Sequence, residues 1–225
     1  RIVAQFMKKN HIPDFFEEKQ KYYLESLKRE TGFFFNPTND GLTNHGKNLQ
    51  VGFSTFALKL YFIFGEWNNL TNNEKNEWIS LINSFQLNKE SLPRNSYIDS
   101  EVYNFYTKPP TKKRIKNNIK SLMNVMSIST YDSFYTNFVN TIRAESKQAI
   151  ATLNQIGSKN EKPYDNFPIR EDIPIFINSF DWTRPWHAGS HFSSLCVFSA
   201  TQLDKSEYLK SKEIQDCIPY FCTLF

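Results

Sequence analysis

The sequence reads Gly52-Phe53-Ser54-Thr55-Phe56-Ala57-Leu58 in its first third and echoes this stretch as Ala144-Glu145-Ser146-Lys147-Gln148-Ala149-Ile150. An offset of 92 residues aligns the two stretches and places Ser54 on Ser146. The first stretch presents small side chains at helical spacing, and small side chains at a contact let helices approach closely. Such an echo indicates a repeated structural unit.

The same offset pairs two glycines, Gly65 and Gly157. Ser100 falls at the midpoint of the offset, and Ser190 follows Ser146 by 44 residues. A period of ~45 residues is typical of stacked supersecondary units, none of which can bury its apolar face alone. The segments that begin near these four positions are therefore predicted to be equivalent helices that neighbour one another.

Most of the chain shows apolar residues at the spacing of an α-helix. The segment Thr71-Asn72-Asn73-Glu74 is a capping box, which predicts a helix start. No segment predicts a convincing ladder of strands, and no change of composition divides the chain, so residues 1–225 are expected to form a single all-α domain. The predicted helices cover 14–28, 48–65, 72–85, 99–107, 113–126, 131–156, 173–180, 186–203 and 205–221.

Composition limits the classes of partner and cofactor. The chain has 27 basic and 23 acidic residues, and this weakly basic balance mildly favours anionic partners. No apolar run reaches 18 residues, so we expect no insertion into a membrane. The basic run 112–116 reads as a solvated helix face, so nucleic acid is not an expected partner. The three cysteines lack metal-ligand spacing, and their odd number suits either a reducing compartment such as the cytoplasm or buried apolar thiols. We expect no metal and no cofactor.

The alternation of small-residue inner helices with amphipathic outer helices, as at 141–157 and 78–86, resembles the α/α-toroid superfamily. Terpenoid cyclases, protein prenyltransferase β-subunits and several polysaccharide lyases and glycosidases share this architecture. The resemblance covers residues 14–225 and implies a toroid or partial toroid of antiparallel helical hairpins. The chain lacks the Asp-rich and tandem Gln-Trp motifs of the cyclases, and Cys196 lacks the Asp and His companions of a prenyltransferase zinc site.

The densest group of chemically useful residues lies between two predicted helices, at 181–191. In a toroid this loop opens on the central cavity. Trp faces stack on sugar rings, and Arg pairs with carboxylate or phosphate. The alternative is structural, with the Trp rings wedged between hairpins and Arg184 paired with a neighbouring carboxylate. The candidates are Asp181, Trp182, Arg184, Trp186 and His191 for substrate binding, and His187 as a general base.

Two earlier loops have the same position relative to the repeat, each directly before a predicted inner helix; we call these positions the first and second stations. Polysaccharide lyases of the toroid class use Asn to neutralise a uronate carboxylate and His or Tyr as the base, which implies Asn44 for binding and His45 for catalysis. The second station offers a phenol and paired carboxylates, the latter suited to glycoside hydrolysis. Helix capping by Asp99 is the structural alternative. The residues of this station are Asp99, Glu101, Tyr103 and Tyr106.

These observations predict a carbohydrate-handling toroid, a lyase or hydrolase acting on an acidic polysaccharide, whose partner is an oligosaccharide or polysaccharide. A non-catalytic repeat scaffold or binding module is one alternative, and a toroid that handles isoprenoids is another, since Phe-rich walls also suit an apolar chain. Convergence of His45, Arg184 and one of the two tyrosines in a single cleft would favour the glycan enzyme. Scattering of these residues would favour the scaffold.

Overall fold

The computed structural model describes residues 49–90, 92–128, 131–167 and 173–203, together with Lys19, Tyr22, Glu25 and Ser26. This part of the chain is mainly helical, which confirms the all-α class. Its elements are α1 (Val51–Ile63), α2 (Glu66–Asn69), α3 (Asn72–Ser84), β1 (Gln86–Leu87), β2 (Ser96–Tyr97), α4 (Ser100–Thr107), α5 (Thr111–Val125), α6 (Phe134–Gln155), α7 (Ile173–Asn178) and α8 (Pro185–Gln202).

The predicted helices between residues 48 and 203 are all present, with ends that shift by at most three residues. The capping box at the start of α3 is confirmed. The Thr71 hydroxyl accepts from the Glu74 N–H at 3.3 Å, and the Glu74 carboxylate accepts from the Thr71 N–H at 2.8 Å. The four described residues of the predicted helix 14–28 are helical, whereas the predicted helix 205–221 lies outside the described residues.

A short antiparallel pair of strands was not predicted. β1 pairs with β2 so that Gln86 lies opposite Tyr97 and Leu87 opposite Ser96. Two residues per strand are too few for the alternation of apolar and polar side chains that identifies a strand in a sequence. The pair matters because it leads β2 towards the middle of α6, where the Tyr97 N–H donates to the Ser146 hydroxyl at 3.0 Å.

Helix α6 is the central element, with α1 and α8 both packed against it. Contacts at both ends show that α6 and α8 run in the same direction. Arg184, at the start of α8, pairs with Asp132, just before α6, at 3.2 Å. Beyond the other end of α6, the Asn160 amide donates to the side chain of Gln202, the last residue of α8, at 3.0 Å. Neighbouring helices that run parallel require a return segment between them, here residues 156–184.

The positions that the 92-residue offset pairs have similar environments in α1 and α6. Ser54 and Ser146 are both completely buried. The two glycines, Gly65 and Gly157, follow the last turns of their helices with φ angles of 81° and 80°. This left-handed conformation is one that glycine adopts without steric cost, and it ends a helix.

Most buried apolar side chains form one cluster around α1, α3, α6 and α8. Trp78, Tyr97, Leu58 and Leu153 lie at its centre and are inaccessible to solvent. A second cluster joins α4 to the first half of α6. Among the described helices, none has the length and hydrophobicity required to cross a bilayer.

We expect Gly157→Ala to lower the free energy of unfolding by about 1–2 kcal/mol, because an L-residue at this φ pushes its Cβ towards the neighbouring carbonyl. The end of α6 requires this conformation, since the Gly157 and Ser158 N–H groups donate to Asn154 and Leu153. A Cβ built at this glycine meets no atom within 4 Å, so a loss of stability would report backbone strain alone. Urea unfolding measures the effect.

Gly189→Ala is the matched control. Gly189 lies inside α8 with a negative φ, and a Cβ there also meets no atom within 4 Å. Alanine in a helix interior is favoured over glycine, so this variant should gain about 0.5–1 kcal/mol. Equal effects of the two substitutions would contradict the assignment of strain to Gly157.

Candidate functional site

A cavity of about 370 Å³ lies beside α6, α7 and α8. Its volume is within the range of small-molecule sites in proteins, ~300–1,000 Å³. Apolar and aromatic side chains form most of its wall, and a few polar groups converge on it, which is the usual composition of a ligand site. The lining residues are Val139 and Arg143 of α6, Asp165, Asn166 and Phe167 of the return segment, Phe176 of α7, and Ser194, Leu195 and Phe198 of α8.

Arg143 is the charged group of this cavity on α6. Its Nη1 atom lies 2.8 Å from Nδ1 of His191, while its Nε is buried and has no hydrogen-bond partner. Burial lowers the pKa of Arg143. Within the described part of the chain, no carboxylate forms an ion pair with this guanidinium. A buried donor without a partner costs about 1–3 kcal/mol, so an anion in the cavity would complete an arrangement that the protein leaves unsatisfied.

His191 positions Arg143 and does not serve as a base towards it. A guanidinium has only donors, so Nδ1 of His191 accepts and its proton resides on Nε2. Burial, followed by the positive charge of Arg143, lowers the pKa of His191 to about 4, so the ring is neutral at physiological pH. The ring also packs against Phe176 and Phe180 with centroid separations of 6.2 and 5.5 Å.

Two lysines extend the positive charge along the packed helices. Burial and the charge of Lys147 lower the pKa of Lys59 on α1, and burial and the charge of Arg143 lower the pKa of Lys147 on α6. None of these three cations pairs with a carboxylate among the described residues. Half-buried cations that repel one another produce a positive potential that favours an anionic ligand.

A smaller cavity of about 220 Å³ adjoins the first, since Phe176 lines both. Four of the predicted site residues line it: Asp181, Arg184, His187 and His191. The structure therefore brings these four together beside the start of α8.

Arg184 already has two carboxylate partners. Its Nε lies 2.7 Å from Asp181 and its Nη1 lies 3.2 Å from Asp132. Hydrogen bonding to Asp132 and then to Asp181 raises the pKa of Arg184. This bridge joins the starts of α6 and α8 and corresponds to the structural alternative for this residue, in contrast to Arg143.

The two tryptophans of the segment 181–191 lie outside both cavities. Trp186 is 87% exposed, and Trp182 is half-buried with its ring 5.7 Å from that of Phe180. Of the four residues expected to line one cavity, Arg184 and His187 line the smaller of these two, and the tryptophans line neither. Arg143 and three phenylalanines form much of the wall of the larger cavity. Because Trp186 is exposed, its ring is not wedged between hairpins, as the structural alternative required.

The tyrosines of the second station, Tyr103 and Tyr106, pack against other side chains of the protein. The Tyr106 ring stacks on Phe138 at 4.9 Å, and the Tyr103 ring lies 6.4 Å from the same phenylalanine. Lys89 lies over the Tyr103 ring at 3.9 Å. Neither tyrosine lines the two cavities, so the structure does not bring them to the residues of the segment 181–191.

Asp99 caps a helix other than its own. Its side chain, which is 3% exposed, accepts from the N–H groups of Gln50 and Val51 at 2.5 and 2.8 Å, at the start of α1. It makes no capping bond to α4. Glu101 follows in the first turn of α4. Asn44 and His45 lie outside the described residues, so the structure does not place them.

Glu145 is a titratable group that the sequence analysis did not single out. Its Oε2 accepts from the Asp99 N–H at 3.0 Å. Burial, and to a smaller degree the charge of Asp99, raises the pKa of Glu145 to about 7, and the hydrogen bond opposes this shift. Arg143 was missed in the same way. Nothing in the sequence of α6 distinguishes either residue from the other polar residues of this helix.

No group of three or more His, Cys, Asp or Glu side chains within the described ranges has the arrangement to hold a metal ion. Comparisons with family models, with curated proteins and with solved structures found no match for this chain.

Proposed function

We propose that the protein binds an acidic saccharide in the cavity beside α6 and α8, with the carboxylate of the sugar on Arg143. The observation that carries the proposal is the buried Nε of Arg143, a donor without a partner on the wall of a ligand-sized cavity. A carboxylate matches the donor fork of a guanidinium and would restore the missing hydrogen bond. The partial α/α toroid belongs to this proposal, and the parallel packing of α6 and α8 supports it.

The rest of the cavity suits a sugar ring. Sugars present apolar faces and hydroxyl edges. Phe167, Phe176 and Phe198 form an apolar wall that suits the former, and the polar groups of Asp165 and Asn166 offer partners for the latter. The positive charges of Lys59 and Lys147 on the neighbouring helices favour a polymer that carries repeated negative charge.

Cleavage of the bound polymer by a lyase or hydrolase step is the finer part of the proposal. Pairing with Arg143 would neutralise the uronate carboxylate and so acidify the adjacent C–H group. Among the described residues, His187 in the adjoining cavity is the base that we assign to remove this proton. As the C=C bond forms, the glycosidic C–O bond on the next carbon breaks, and the leaving sugar oxygen takes a proton from water. The ultraviolet absorbance of the unsaturated product would report turnover.

An isoprenoid with an anionic head group is the second candidate. The apolar wall of Val139, Leu195 and the phenylalanines suits a hydrocarbon chain, and Arg143 would bind a phosphate equally well. Both candidate ligands would place an anionic group on Arg143, and they differ in whether a sugar ring or a hydrocarbon chain fills the rest of the cavity.

Substitution of Arg143 by Met should weaken the binding of an oligouronate by about 10- to 100-fold, since a charge-assisted contact contributes about 1.5–3 kcal/mol. Isothermal titration calorimetry with the full chain measures this effect. The variant should remain folded, because it removes an unsatisfied buried charge. Arg184→Met is the control and should change binding less than about threefold, because Arg184 is occupied by Asp132 and Asp181.

Three outcomes decide between the candidates. Binding of oligouronates that depends on Arg143 supports the saccharide. Binding of an isoprenyl phosphate alone favours the second candidate. An intact wild-type protein that binds neither ligand would contradict the proposal and favour a non-catalytic scaffold.

A further inference from the structure

Helix α5 turns its polar face towards the rest of the protein and its apolar face towards solvent, the reverse of the usual arrangement. Polar side chains face the protein: Asn124 makes two hydrogen bonds with the backbone of Tyr131 at 2.7 and 2.8 Å. Lys120 lies over the Tyr131 ring at 4.8 Å, and Lys113 lies over the Phe105 ring at 5.5 Å. None of its residues is buried.

The opposite face of α5 is an exposed apolar row. Ile115, Ile119 and Leu122, followed by Met126 just after the helix, recur at intervals of three and four residues and are therefore on one side. Each of these side chains is between 54% and 60% exposed. Apolar residues aligned in this way on an amphipathic helix normally face a protein core or a partner.

Charge identifies the kind of partner. The sequence of α5 contains five basic residues and no acidic residue. At 100° per residue, Lys112 and Lys116 flank the apolar row on one side and Arg114 flanks it on the other, and all three are exposed. A second copy docked through the same row would bring these three cations against three identical cations, which is repulsive.

We propose that α5 docks on an anionic lipid surface and lies in the plane of the membrane interface. The apolar row would enter the boundary between head groups and acyl chains, and the flanking cations would meet the negative head groups. Helices that combine an apolar stripe with Lys and Arg on the polar face bind membranes in this manner. This surface is independent of the cavity at Arg143, so loss of either function leaves the other testable.

Cosedimentation of the full chain with vesicles tests the proposal. The protein should bind vesicles of phosphatidylcholine with about a quarter phosphatidylglycerol, and bind phosphatidylcholine alone far more weakly. Ile119→Ser with Leu122→Ser should weaken binding at least about 100-fold through lost apolar burial. Lys112→Ser with Lys116→Ser should weaken it about 30-fold. Ile175→Ser, at a 71% exposed position on α7, should leave binding unchanged.

Several results would overturn the proposal. These are equal binding to neutral and anionic vesicles, no binding by a folded wild-type protein, and equal losses for the α5 variants and the Ile175 control. A dimer in light scattering that the Ile119 and Leu122 substitutions dissolve, without vesicle binding, would assign the row to a second copy instead.

Discussion

Replacing Asp99 by Ala should lower the free energy of unfolding by about 2–5 kcal/mol. The carboxylate is buried and accepts two N–H groups at the start of α1, from Gln50 and Val51, and Val51 is itself inaccessible to solvent. A buried donor that loses its partner costs about 1–3 kcal/mol, and Ala removes the partner of both donors. The partial positive charge at a helix N-terminus adds to the loss. Urea denaturation followed by circular dichroism measures the change.

Two controls separate the cap from general truncation of a carboxylate. Glu90→Ala, at an exposed position, should change stability by less than about 0.5 kcal/mol. Asp99→Asn keeps an acceptor oxygen and should lose clearly less than Asp99→Ala. The Asn variant should also lower the pKa of Glu145, because the charge of Asp99 helps to raise it. If the Ala variant were as stable as Glu90→Ala, the capping role of Asp99 would be refuted.

Glu145→Gln should make the protein about 3 kcal/mol more stable than wild type at pH 8 and should change little at pH 4. Burial raises the pKa of Glu145 from its ordinary value of 4.5 to about 7. The folded state therefore binds this proton more tightly than the unfolded state does, and wild-type stability falls as the pH rises from about 4.5 to about 7. A difference of ~2.5 pKa units corresponds to about 3 kcal/mol. Gln imitates the neutral acid and keeps an oxygen for the Asp99 N–H.

Wild type must be compared with Glu145→Gln, because the titration of His191 changes stability with pH in the opposite direction. Its pKa is lowered from 6.5 to about 4, so protonation of His191 opposes folding and stability rises with pH through that interval. Both proteins contain His191, and their difference isolates Glu145. A difference in stability that does not vary between pH 4 and pH 8 would show that Glu145 titrates normally.

The sequence predicted the helices well because their signals are local. Apolar periodicity, the capping box at Thr71 and a glycine after the last turn lie within a few residues of the boundary that they mark. The expectation of small, closely packed faces also holds for Ser54 and Ser146, which are both fully buried in helices that touch.

The site was predicted less well because its determinants are contacts across the chain. Arg184 looked like an anion clamp, but Asp132, 52 residues away, already pairs with it. Arg143 looked like an ordinary residue of a long helix, and only its burial beside His191, without a carboxylate, makes it distinctive. The order of residues along a single chain does not reveal which charge has a partner and which lacks one.

The cap that Asp99 gives to α1 also has a consequence for the order of folding. The donor at Val51 and the acceptor at Asp99 are 48 residues apart, and a loop of that length must close before the bond forms. The segment that carries Asp99 is itself held to α6 through Ser146 and Glu145. Helix α1 therefore gains its full stability only after a part of the chain made much later has arrived. Assembly of this half of the molecule is a cooperative, non-local event, and a nascent chain that ends before Asp99 lacks the means to complete it.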